Sequence, residues 1–193
     1  AVIQEVAAKN ETASERAPLP GSMEDWPWWR GPNSDNTSAG GQVPTVWSET
    51  ENVLWKVAIP GQGHGSPSVV GNQIFLATAD EEAQVQSLIS YERTSGRKLW
   101  EKEIHRGQFE RLHKKNSHAS STPASDGEKV FVPFLNSDGI WVTAVNFQGE
   151  IVWQQNAGAF DSQHGYGASP VLYESLVIVN GDNPGGGYMT ALD

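Results

Sequence analysis

Apolar and β-branched residues fall in short runs separated by Gly, Pro, Asn, Asp and Ser. Three of these runs, 74–78, 130–134 and 176–179, are nearly continuous in Val, Ile, Leu and Phe, as in strands buried on both faces. Each follows a short segment opened by a hydroxyl residue and a proline: Ser66-Pro67, Thr122-Pro123 and Ser169-Pro170. A proline at a strand's first position costs no ladder hydrogen bond. A third strand is predicted next in each unit, over 85–91, 140–146 and 188–192. Two units then carry a glycine turn with tryptophan four residues on, Gly96 before Trp100 and Gly149 before Trp153. Trp55 supplies the same ending ahead of the first unit.

The opening prolines are 56 and 47 residues apart. Four antiparallel strands repeating at this period describe the blade of a β-propeller. An ordinary sandwich would leave the recurrence of glycine and tryptophan to coincidence. The predicted class is therefore all-β: a partial β-propeller of four-stranded antiparallel blades, about three of an expected six to eight. Residues 1–25, polar and poor in apolar side chains, are expected to be a mobile tether. Residues 26–47 form a Trp-rich lead-in and 48–193 the repeats. Within the repeats, a lone strand is expected over 48–60, blades over 61–104 and 118–156, and an incomplete blade over 165–193. Trp55, Trp100 and Trp153 are read as staples between blades, each ring beside its glycine turn, with Gly96 and Gly149 as the structural glycines.

These residues resemble the tryptophan-docking repeat, Ala-x-Asp-x-x-Thr-Gly-x-x-x-Trp, of the pyrroloquinoline-quinone-like propellers of bacterial exported type. The resemblance runs from about Trp47 to Asp193, and the lead-in Trp26-Pro27-Trp28-Trp29-Arg30-Gly31-Pro32 is similar as well. The first unit carries an extra residue before Gly96, and the second lacks the Asp and Thr. The third unit reaches Ala191-Leu192-Asp193 and stops where its Thr-Gly turn is due, so the chain is expected to be a fragment. The first residue is Ala, which would fit an exported protein whose leader has been removed.

Composition narrows the function classes. The 193 residues carry a formal charge of −10, which disfavours phosphate-backbone binding and hence nucleic acid as partner. There is no cysteine, so thiol nucleophiles and Cys-ligated zinc are excluded within this segment. No apolar run approaches the roughly 18 residues of a membrane-spanning helix. Gly and Pro together number 31, in keeping with many tight turns.

Candidate chemistry is sparse. His64, His118 and His164 precede Pro67, Pro123 and Pro170 by three, five and six residues. Loops entering innermost strands gather at one mouth of a propeller, so these imidazoles are the candidate ligand-binding residues; turn capping by each is the alternative. No metal site and no catalytic residue are assigned. Residues 92–118 hold eight of the 13 basic residues against four glutamates, either a docking loop or a solvated hairpin. The polar turn 180–187 has one charged residue, Asp182, too few for a calcium loop.

The leading functional reading is a non-catalytic, exported binding or scaffold protein in the periplasm, with a protein partner or small ligand at the propeller mouth. Two alternatives stand beside it, the first implied by the resemblance and the second by the histidines at the mouth. One is a fragment of a dehydrogenase using pyrroloquinoline quinone and calcium. The other is a ligand-sensing ectodomain.

Overall fold

The computed structural model describes residues 25–38, 41, 43–137 and 139–193. Eleven strands and no helix form among these residues. The first sheet contains β1 (Ser68–Val70), β2 (Gln73–Asp80), β3 (Val85–Glu92) and β4 (Lys98–Arg106). The second contains β5 (Ala124–Ser125), β6 (Lys129–Asn136), β7 (Gly139–Asn146) and β8 (Ile151–Ala159). The third contains β9 (Val171–Tyr173), β10 (Leu176–Asn180) and β11 (Met189–Leu192). Within each sheet the strands lie in chain order and every pairing is antiparallel. The first strands meet one another, β1 against β5 and β5 against β9, so the three sheets form an arc of propeller blades.

Alternation along the central strand explains the packing. Val130, Val132 and Phe134 of β6 join a core with Phe75 and Leu88 of the first sheet. Phe131, one residue out of phase, joins the opposite core with Val142, Val177 and Val179. Successive side chains of a strand point to opposite faces, so one strand feeds two cores, and the near-continuous apolar run follows. In both complete sheets the pairing of third and fourth strands slips twice, which bends the outer strand.

Two kinds of bond repeat from blade to blade. Thr122 Oγ1 accepts from the Ser66 N–H at 3.0 Å, and Ser169 Oγ accepts from the Thr122 N–H at 3.0 Å. The hydroxyl residues before the second and third prolines thus accept from their counterparts one unit earlier, which gives these Ser/Thr-Pro openings a physical reason. Tryptophan supplies the second link. Trp55 Nε1 donates to Arg93 O at 2.9 Å, and Trp100 Nε1 donates to Phe147 O at 2.8 Å. Each ring covers the glycine of the following unit, Trp55 over Gly96 and Trp100 over Gly149, rather than the turn of its own strand. A strand side chain projects from the sheet face and not along the strand, so it reaches the neighbouring sheet. Trp153 lies 5.8 Å from the Phe131 ring, centroid to centroid.

The expected lone strand over 48–60 does not form. Residues 53–59 join no ladder among the described residues, and Leu54 is 93% exposed. The segment is held instead by single tethers: the Trp55 indole, the Thr78 hydroxyl donating to Pro60 O, and a bridge between Gln62 and Ala79. The lead-in is anchored at the inner strands, where Trp26 and Val69 exchange two hydrogen bonds of 2.8 Å and Pro27 O accepts from Ser125 N at 2.9 Å. The predicted tether lies, Asp25 apart, outside the described residues.

Candidate functional site

The long connection from β4 to β5 is fixed from below by a buried amide pair. Gln86, fully buried at the start of β3, donates through Nε2 to His118 O at 2.9 Å and Leu135 O at 3.0 Å. Asn136 Nδ2 donates to Gly107 O at 2.8 Å and to Gln86 Oε1 at 3.3 Å. The two side chains thus tie the first blade, the second blade and the connection together. A buried amide left without these partners would cost about 1–3 kcal/mol, so the network holds the connection in one place.

The three histidines singled out in the sequence occupy different settings. The His64 imidazole is exposed, while its backbone N–H donates to Ala119 O at 3.0 Å. His118 is turned inward, stacked on Phe109 at 4.2 Å, with Nε2 hydrogen-bonded to Glu110 O at 2.9 Å. That bond makes Nε2 the protonated nitrogen, and Nδ1 stands 3.6 Å from Glu81 Oε1, beyond a hydrogen bond. His164 is exposed and its ring pairs at 5.6 Å with His113, a residue the sequence pattern did not single out. The Asn116 side-chain amide donates to His164 O and fastens the two connections together. His118 lines a small recess beside the cleft described next, and His164 faces that cleft itself.

Between the second and third blades lies a cleft of about 1460 Å³, walled by Leu112, Leu135, Phe160 and Tyr188. Arg111, His113, Lys114, Asp161 and His164 stand on its rim. The Lys115 N–H donates to His113 Nδ1 at 3.2 Å, leaving Nε2–H as that ring's free donor. A recess of about 10 Å³ under residues 110–112 adjoins the cleft and is lined in part by Tyr166. Tyr166 is 6% exposed, sits edge-on to Phe160 at 5.3 Å, and its hydroxyl has no hydrogen-bond partner among the described residues. Burial, with a smaller contribution from the nearby Tyr188 phenol, pushes its pKa well above the ordinary tyrosine value, so it stays a neutral donor. Tyr188 is pressed between glycines: a Cβ at Gly158 or Gly181 would stand 2.6 or 2.2 Å from its Cζ. Its hydroxyl is also buried without a partner.

The family described as outer membrane protein assembly factor BamB matches residues 34–182. The chain belongs to this family of pyrroloquinoline-quinone repeat propellers. No curated protein matches it. Among solved structures, the BamB-family chain is similar to a europium-containing methanol dehydrogenase, with 17% identity and a TM-score of 0.58 over 91% of this chain and 31% of that one. It is also similar to the quinohemoprotein alcohol dehydrogenase from Pseudomonas putida HK5, with 21% identity and a TM-score of 0.50 over 72% of this chain and 20% of that one. At such identities the likeness shows the fold. The chain spans less than a third of the length of either structure.

Quinone dehydrogenases of this fold imply a cation beside the cofactor. Calcium takes six to eight oxygen ligands, whereas no three His, Cys, Asp or Glu side chains among the described residues are grouped to hold a metal ion. Hydrogen-bond donors, apolar walls and a rim of mixed charge equip the cleft for binding.

Proposed function

We propose that this chain is a non-catalytic binding module of the cell envelope, exported to the periplasm, whose loop face receives a protein partner. The family's description as an outer membrane assembly factor supports a partner engaged in that assembly. The observation that carries the reading is the Gln86–Asn136 network, which fixes an exposed, cationic connection beside a cleft. Rigid scaffolds presenting such connections suit recognition, because little ordering entropy remains to be lost on docking.

Site-specific photocrosslinking in intact cells tests this. A benzophenone side chain at Lys114 is expected to capture an outer-membrane assembly protein. The same group at Glu128, in the turn at the far end of β6, is expected to capture none. Equal capture at both positions, or none at Lys114, overturns the reading. So does quinone- and calcium-dependent dye reduction by the chain.

A further inference from the structure

Two buried tyrosine hydroxyls at the cleft indicate what it takes. Tyr166 is nine-tenths buried, its hydroxyl has no partner among the described residues, and it lines the recess beneath residues 110–112. Tyr188, on the wall of the cleft, carries a second buried hydroxyl without a partner. Native proteins rarely leave such groups unmatched, and here both are O–H donors in want of an acceptor. His113 adds an N–H at the rim.

Arg111 and Lys114 make no ion pair among the described residues, unlike Arg97, Lys98 and Arg106 on β4 and the turn before it. Glu110 and Asp161 also line the cleft, so its fixed charges are two positive and two negative. A phosphate dianion gains little in such balanced surroundings. One negative charge, bound chiefly through neutral donors, suits them better. The recess of about 10 Å³ admits roughly one water-sized group, enough for a single carboxylate oxygen. Leu112, Leu135 and Phe160 then offer apolar wall to whatever carries the carboxylate.

We propose that this cleft binds an organic monocarboxylate with an apolar body, one carboxylate oxygen accepting from Tyr166 in the recess and the body lying against Leu112 and Phe160. The proposal rests on reading the cleft as a binding surface. The carboxylate can belong to a free organic acid or to the C-terminus of a polypeptide.

Calorimetry on the purified chain separates the cases and needs no protein partner, so its outcome is independent of the crosslinking result. N-acetyl-phenylalanine is expected to bind about tenfold or more tightly than its amide, the difference one charge-assisted hydrogen bond makes. Tyr166→Phe is expected to abolish that preference while leaving the melting temperature no lower. Arg111→Gln, at an exposed position, is expected to weaken the acid and not the amide. Tighter binding of acetyl-Ala-Ala-Phe than of acetyl-Phe assigns the site to polypeptide termini; equal binding assigns it to free acids. Absence of acid binding, equal binding of acid and amide, or a preference that survives in Tyr166→Phe overturns the proposal.

Discussion

The indole of Trp100 lies against Gly149 of the next blade and donates from Nε1 to Phe147 O at 2.8 Å, so a ring from one sheet closes over the turn of its neighbour. Gly149 has φ +87°, and a Cβ there would stand 2.9 Å from Trp100 Cδ2. Gly149→Ala therefore meets both a left-handed backbone penalty of about 1–2 kcal/mol and overpacking of about 1–3 kcal/mol. Gly71 has φ +56° and open space where its Cβ would go. Gly71→Ala is expected to lose the backbone part alone, about 1 kcal/mol. Urea denaturation of the two variants checks this; equal losses would show that the indole yields freely.

The hydroxyl links between blade openings differ in what their loss exposes. Ser169→Ala removes the acceptor for the N–H of Thr122, which is 3% exposed, and is expected to destabilise by about 1–3 kcal/mol. Thr122→Val removes the acceptor for the N–H of Ser66, an exposed residue whose N–H water can satisfy. Its cost is expected to stay near or below about 1 kcal/mol. Denaturation midpoints should therefore rank Ser169→Ala below Thr122→Val, and the reverse order would refute the burial argument.

What could be read from the residues alone was whatever a single unit determines. The runs at 74–78, 130–134 and 176–179 became β2, β6 and β10 because period and turn chemistry are local. Links between units were harder to read. Spacing places Trp100 four residues after Gly96, yet the ring serves Gly149, because its direction depends on where the next sheet lies. Residues 48–60 have the composition of a strand but find no ladder partner among the described residues. In the site, repetition marks His64, His118 and His164, of which His164 lines the cleft and His118 its recess, but it does not mark Tyr188 on the cleft wall or Tyr166 in the recess. Neither tyrosine recurs from unit to unit, and of the two glycines that make room for Tyr188, Gly158 lies in β8 and Gly181 just after β10.

His105 makes stability depend on pH. It lies edge-on to Phe134 and Trp141 between the first two blades, its Nε2 buried without a partner among the described residues. Burial lowers its pKa from 6.5 to about 4. The unfolded chain therefore takes up a proton below about pH 6.5 that the folded chain refuses until about pH 4, so stability is full above this window and falls as pH drops through it. Discounted for the part of the ring open to solvent, the loss is about 2 kcal/mol. His105→Phe, which keeps a ring against Phe134 and Trp141, is expected to remove that part of the slope. Urea denaturation of both proteins at pH 7.5 and pH 4.5 measures it. A stability gap between them that does not change with pH would assign the slope to other groups.

Tyr166→Phe separates a packing role from a binding role. The ring is held by Phe160 at 5.3 Å, a contact phenylalanine preserves, while the hydroxyl is buried without a partner among the described residues. Removing a buried donor that has no acceptor abolishes a desolvation cost without breaking a bond, so the variant is expected to gain up to about 1 kcal/mol. For most buried tyrosines the same change is destabilising, since their hydroxyls are paired. Tyr166→Phe is thus expected to melt at the same temperature as the parent or slightly above it. A loss of 1 kcal/mol or more would mean that the hydroxyl has an acceptor in the free protein, in which case it is not held ready for a ligand. A gain would mean that the folded chain carries this group at a cost to stability, as binding sites do when their donors are set in place before the ligand arrives.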